Sequence, residues 1–167
     1  MNVTRQEDGQ FELRMEEEEW RSLCHLLSQY PLTPADHHSL NSKNNPDPGL
    51  KESDQWLRDS VSKHQTDREL QIKQWIQSIE PVDNDEGHLY PVLFDAERAD
   101  WLIEILNDLR VGSWMSLNCP APETLSDKSP DSEEWPRIWI MEVSGMYQSI
   151  LLQALDIALE VGHGGIS

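Results

Sequence analysis

Basic residues are scarce in this chain: 13 lysines and arginines stand against 31 aspartates and glutamates in 167 residues, a formal net charge of −18. A surplus of that sign repels phosphate backbones and anionic lipid headgroups, so nucleic acid and membrane are poor partners. It also accounts for solubility without any further role. Cysteine is scarcer still. Cys24 and Cys119 lie far apart and share no C-x-x-C spacing, which argues against a disulfide framework and a zinc knuckle. The opening residues, MNVTRQEDGQ, lack the apolar stretch of a secretory leader, and a reducing cytoplasm is the expected compartment. Also missing are a Gly-rich phosphate loop, a nucleophile motif and the Glu-x-x-His spacing of metal-bearing bundles. The sequence therefore assigns no catalytic residue, no cofactor and no metal ligand.

What is present begins with the last apolar run, Trp135 to Val161. Its apolar positions cover most of a helical wheel, while Glu142, Gly145, Ser149, Gln153, Asp156 and Glu160 recur every three or four residues as one polar stripe. A carboxylate at mid-bilayer costs about 2.5–3.5 kcal/mol, so the run is expected to be a core helix buried on most sides and not a membrane span. The length suits a single domain over residues 1–167 that buries roughly 70% of its unfolded surface.

Ahead of it, Phe11, Leu13 and Met15 alternate with polar residues behind an Asp8-Gly9 pair. Asp-Gly supplies the positive φ of a tight turn, which predicts a β-hairpin over 2–15. Glu16 to Tyr30 opens on four glutamates that suit a helix N-terminus, carries Trp20, Leu23, Leu27 and Tyr30 at helical spacing, and stops at Pro31. Residues 31–50 are rich in Pro, Asn, Asp and Ser and read as a loop, with His37 and His38 exposed on it. The helical region 51–79 reads as two pieces, one around Trp56, Leu57 and Val61, the other opened by Thr66 as N-cap with Glu69 completing a capping box. His88 to Phe94, interrupted by Pro91, suits an edge strand or an extended arm. Asp95 caps a helix over 96–117 whose inward stripe is Leu102, Ile105, Leu106, Leu109 and Ser113, and 118–134 is a loop leading into helix 135–161, where Pro136 fits the first turn.

Two stretches carry a family resemblance: TRQEDGQFELRM ahead of an acidic-headed helix, and ADWLIEILNDLRVG, where Trp101, Asn107, Asp108 and Arg110 keep a Trp-x5-Asn-Asp-x-Arg spacing. On these the chain resembles a distant member of the bacterial family catalogued as domain of unknown function 2017. That resemblance implies no activity, ligand or catalytic residue. It does imply a link to protein quality control, because in some bacteria genes of the family neighbour a Clp protease adaptor gene.

The expected architecture is mainly α, a helical domain packed round a long C-terminal helix with a small N-terminal β-hairpin. Asn and Asp are mediocre helix formers, so Asn107 and Asp108 at mid-helix are expected to bond something specific, with Arg110 beside them available to an anion or a peptide. Trp101, Asn107, Asp108, Arg110 and Tyr147 are the candidate binding residues. Seven tryptophans at or near apolar faces suit core boundaries and protein interfaces alike. The expected function is non-enzymatic binding of a protein partner, or of a second copy. The rival is a small-molecule site or enzyme in a pocket lined by Trp101, Asp108, Arg110 and Tyr147.

Overall fold

The computed structural model describes residues 2–6, 10–33, 48–84, 87–125 and 129–163. Strand β1 (Asn2–Arg5) pairs antiparallel with β2 (Phe11–Glu16), setting Asn2 opposite Arg14 and Arg5 opposite Phe11. The arms of the expected hairpin are thus present, and its Asp8-Gly9 turn lies outside the described residues. Phe11, Leu13 and Met15 are buried as their alternation predicts. Glu12, on the other face, is also buried, accepting from Gln6 at 2.7 Å and Arg14 at 3.0 Å.

The hairpin is only half of a sheet. Strand β3 (Val82–Asn84) turns back into β4 (Gly87–Phe94), and β4 pairs antiparallel with β2, giving the order β1-β2-β4-β3. His88 to Phe94 is therefore an inner strand, which corrects the reading as an edge or an arm. Pro91 is tolerated because β3 ends with Val82 opposite Leu89, so beyond that point no strand waits for an amide from β4. On its other side Pro91 faces Arg14 of β2. Asp85 and Glu86, between β3 and β4 in sequence, lie outside the described residues.

Strand β2 runs directly into helix α1 (Glu17–Leu27). Glu16 is the N-cap, and its backbone N–H donates to Glu19 at 3.0 Å in a capping box. Of the expected loop 31–50, residues 34–47 with His37 and His38 lie outside the described residues, and Pro48–Leu50 form a short 3-10 turn. Helix α2 (Lys51–Ser78) is one unbroken helix and not two pieces. The Thr66 hydroxyl donates to the Ser62 carbonyl at 3.0 Å, and Glu69 pairs with Lys73 at 2.7 Å, so the residues of the expected capping box are spent inside the helix. Neither Gly nor Pro lies between Lys51 and Ser78 to break it.

Helix α3 (Ala96–Ser116) starts where expected, Asp95 Oδ1 accepting from the Arg98 amide at 2.8 Å, and its stripe from Leu102 to Ser113 is buried. A one-turn helix α4 (Pro122–Leu125) interrupts the expected loop 118–134. Helix α5 (Trp135–His163) follows. The protein is mainly helical, as expected, with a four-stranded antiparallel sheet.

The centre of the core is α3. Leu102 and Leu106 sit in one apolar cluster with Leu13 and Phe94 of the sheet, Leu23 of α1, Trp75 of α2, and Tyr147 and Leu151 of α5. Helix α5 packs along α3 and touches α1, where Tyr147 donates to the Glu19 carbonyl at 3.1 Å and Trp139 meets His25 at 5.5 Å between ring centroids. Its other face is open, with Met146 48% and Leu152 50% exposed beside Glu142, Ser149, Gln153 and Asp156. A long C-terminal helix with an exposed polar stripe is present as expected, and it is less covered than expected only where Met146 and Leu152 also face outward. Glu160 lies where side chains are not described.

Candidate functional site

The five candidate binding residues do not converge. Consecutive helical residues are rotated by about 100°, so neighbours in sequence leave α3 in different directions. Asp108 is turned toward the chain after α1. Its Oδ1 accepts from the Leu32 amide at 2.9 Å and the Thr33 amide at 3.3 Å, while the Thr33 hydroxyl donates to the Asp108 carbonyl at 3.4 Å. A mid-helix aspartate is there to hold a chain segment against α3. Gly112, one turn on, presses on the same segment: a Cβ there would lie 2.6 Å from Leu32 Cβ.

Asn107 and Arg110 are exposed and linked only by a 3.5 Å contact, and the Arg110 stem lies over Gly145 of α5. Tyr147 is 3% exposed, and burial beside the acidic Glu19 pushes its hydroxyl up to about 12. Trp101 is half-buried at the other end of α3. Its Nε1 donates to Gln71 Oε1 at 3.1 Å, its ring meets Trp75 edge-on at 5.8 Å, and the Arg98 guanidinium lies 4.8 Å over it.

These residues line separate depressions. Trp101 borders an open groove of about 710 Å³ with Gln71, Gln74, Trp75, Glu97 and Arg98. Asp108 borders a smaller one of about 380 Å³ with Tyr30, His64 and Arg68. Arg110 borders a third, about 1040 Å³, between the end of α3, α4 and the open face of α5.

This third groove is the candidate site. Val111, Trp114, Leu125, Met141 and Met146 give it an apolar wall, Arg110 and Glu142 its charges, and Cys119 its thiol. Trp114 is 42% exposed, its indole N–H tied to the Pro120 carbonyl at 3.1 Å. Asn118 and Cys119 both adopt positive φ, 62° and 54°, as the chain turns sharply off α3 to form the groove's end. The sequence signal for it was available: Trp114 lies off the inward stripe of α3, and Met146 sits next to the polar positions of α5, so both were surplus to the core.

The two thiols differ. Burial pushes Cys24 up to about 11, so it stays protonated at neutral pH, whereas Cys119 is exposed. His88 pairs with Asp83 at 2.7 Å in the β3–β4 hairpin, away from the carboxylates of α5. Among the described residues, no three of His, Cys, Asp and Glu come together as a metal ion requires, and no helix is long and apolar enough to cross a membrane. Compared with known proteins, the chain matches no family model, no curated protein and no solved structure.

Proposed function

We propose that the chain is a non-enzymatic protein-binding domain that seats an amphipathic helix of a partner in the groove between α3, α4 and α5. The observation that carries this reading is the exposure of Trp114 and Met146, 42% and 48%, on a groove that Val111, Leu125 and Met141 also line. Large exposed apolar side chains rimmed by polar ones mark protein contacts, and methionine adapts to varied partner side chains. The partner's polar flank is basic, because Glu142 is exposed on the rim and the whole chain carries −18. The resemblance to the domain of unknown function 2017 family points the same partner toward regulated proteolysis in the cytoplasm. The rival pocket of Trp101, Asp108, Arg110 and Tyr147 has less support, since those side chains line different depressions.

The test uses the thiol difference. An environment-sensitive maleimide placed on Cys119 at neutral pH reports on the groove while Cys24 stays unlabelled. A leucine–lysine amphipathic helical peptide is expected to shift the label's emission, and its leucine–glutamate counterpart to bind more weakly. Met146→Ala and Trp114→Ala each weaken the lysine peptide on the order of tenfold or more. Equal binding by these variants overturns the proposal. So does a concentration-dependent dimer that Met146→Glu dissolves, which would give the groove to a second copy.

A further inference from the structure

At the opposite end of α3 we infer a second recognition site, one that takes an arginine side chain from a basic peptide segment onto the ring of Trp101. Its foundation is a file of aromatic rings running from the sheet to the surface. Tyr90 stacks on Trp20 at 5.3 Å, Trp20 meets Trp75 at 6.2 Å, and Trp75 meets Trp101 at 5.8 Å. Trp20 and Trp75 are buried, so the file fixes Trp101 from behind, and the Gln71 hydrogen bond fixes its indole edge. The result is an aromatic platform backed by buried rings in a groove of about 710 Å³.

That platform already holds a guanidinium. Arg98 lies 4.8 Å over the ring, exposed, and no carboxylate among the described residues forms an ion pair with it. Arg98 follows Glu97 directly, and adjacent helical residues do not face each other, so the two cannot pair on the helix surface. An exposed cation–π contact is worth about 0.5–1 kcal/mol, little enough for an incoming group to displace. Glu97 is exposed in the same groove without an ion pair among the described residues. A guanidinium arriving from outside, free of the α3 backbone, satisfies both groups at once, stacking on Trp101 and pairing with Glu97, which Arg98 cannot do. Gln74 offers a side-chain amide for the peptide backbone beside it. The net charge of −18 favours approach of a basic segment at long range. Lysine is the poorer guest, because its compact, strongly hydrated ammonium neither stacks nor forks.

The site lies some 20 Å along α3 from Trp114, thirteen residues at about 1.5 Å each, so it is tested independently of the α3–α5 groove. Blocked Gly-Arg-Gly, Gly-Lys-Gly and Gly-citrulline-Gly peptides are titrated against the full chain while the Trp101 indole N–H signal is followed by NMR. The arginine peptide is expected to move that signal, with weaker binding by lysine, none by citrulline, and a marked loss at raised salt. Arg98→Ala removes the resident competitor and strengthens arginine binding several-fold, while Glu97→Gln weakens it. Both positions are exposed, so neither variant endangers the fold. Citrulline binding as well as arginine, or Arg98→Ala leaving the affinity unchanged, overturns the inference. So does a neutral disaccharide that shifts the Trp101 signal where the arginine peptide does not.

Discussion

In α3, Leu102, Ile105, Leu106 and Leu109 are each no more than 4% exposed, whereas α2 leaves Trp56 71% and Leu70 56% exposed. The two helices are linked through long side chains, by the Arg68–Glu104 ion pair, the Trp101–Gln71 hydrogen bond and the Trp75–Trp101 contact. They are nonetheless held by different forces. Burial of one stripe against the sheet, α1, α2 and α5 fixes α3 in place. Much of α2 is held by its own surface, through Gln55–Asp59 at 2.8 Å and Glu69–Lys73 at 2.7 Å, each worth about 0.2–0.5 kcal/mol. A helix can thus be long without being central.

The contrast is sharpest where cavities are created. Leu109→Ala is expected to cost about 2–5 kcal/mol in chemical denaturation, since a fully buried leucine leaves a void that its neighbours fill only in part. Gly112→Ala reverses a rule: in an exposed helix that change gains about 1 kcal/mol. Here the new methyl would meet Leu32 Cβ at 2.6 Å and its carbonyl carbon at 2.8 Å, so a loss of about 1–3 kcal/mol is expected, with faster amide exchange at Leu32 and Thr33. A gain in stability would show that the clamp on residues 32 and 33 yields freely.

A third, smaller effect comes from pH. Burial pushes Tyr30 and Tyr147 up from 10 to about 12. Folded values above the unfolded one favour the neutral phenol, so their stabilisation is complete below pH 10 and is lost as pH rises through 12. Melting temperature is expected to fall by a few degrees over that window, and less so in Tyr147→Phe. The smallest effect is that of Trp56→Ala on α2, a change within about 0.5 kcal/mol in the same denaturation measurement. A loss of several kcal/mol there would erase the distinction between the two helices.

The parts of this fold legible in the sequence are those whose cause is local. The alternation at Phe11, Leu13 and Met15, the cap at Asp95 and the stripe from Leu102 to Ser113 each state their environment within a few residues. The parts that were not legible depend on distant partners. Pro91 reads as a strand breaker until β3 is seen to end opposite Leu89. Thr66 and Glu69 match a helix start, yet nothing upstream interrupts α2. Asp108 did find a specific partner, as its poor helix propensity suggested, but the partner was the Leu32–Thr33 backbone, and helical rotation parted it from Asn107 and Arg110. For the α3–α5 groove the positions of Trp114 and Met146 off the core stripes were legible, but that α4 would close its end was not, because that depends on how the chain turns at Asn118 and Cys119.

The pairing of β2 with β4 also sets an order of events during synthesis. Phe11 finds its partner only at Phe94, so when β2 leaves the ribosome its inner edge has about 80 residues to wait. At about 5–20 residues per second, that edge stays unpaired for roughly 4–16 s. It presents Phe11, Leu13 and Met15 throughout, and an open apolar edge is a template for association. The nascent chain is therefore most vulnerable to aggregation after α1 has emerged and before β4 has, and that exposed interval is when a chaperone would have something to hold.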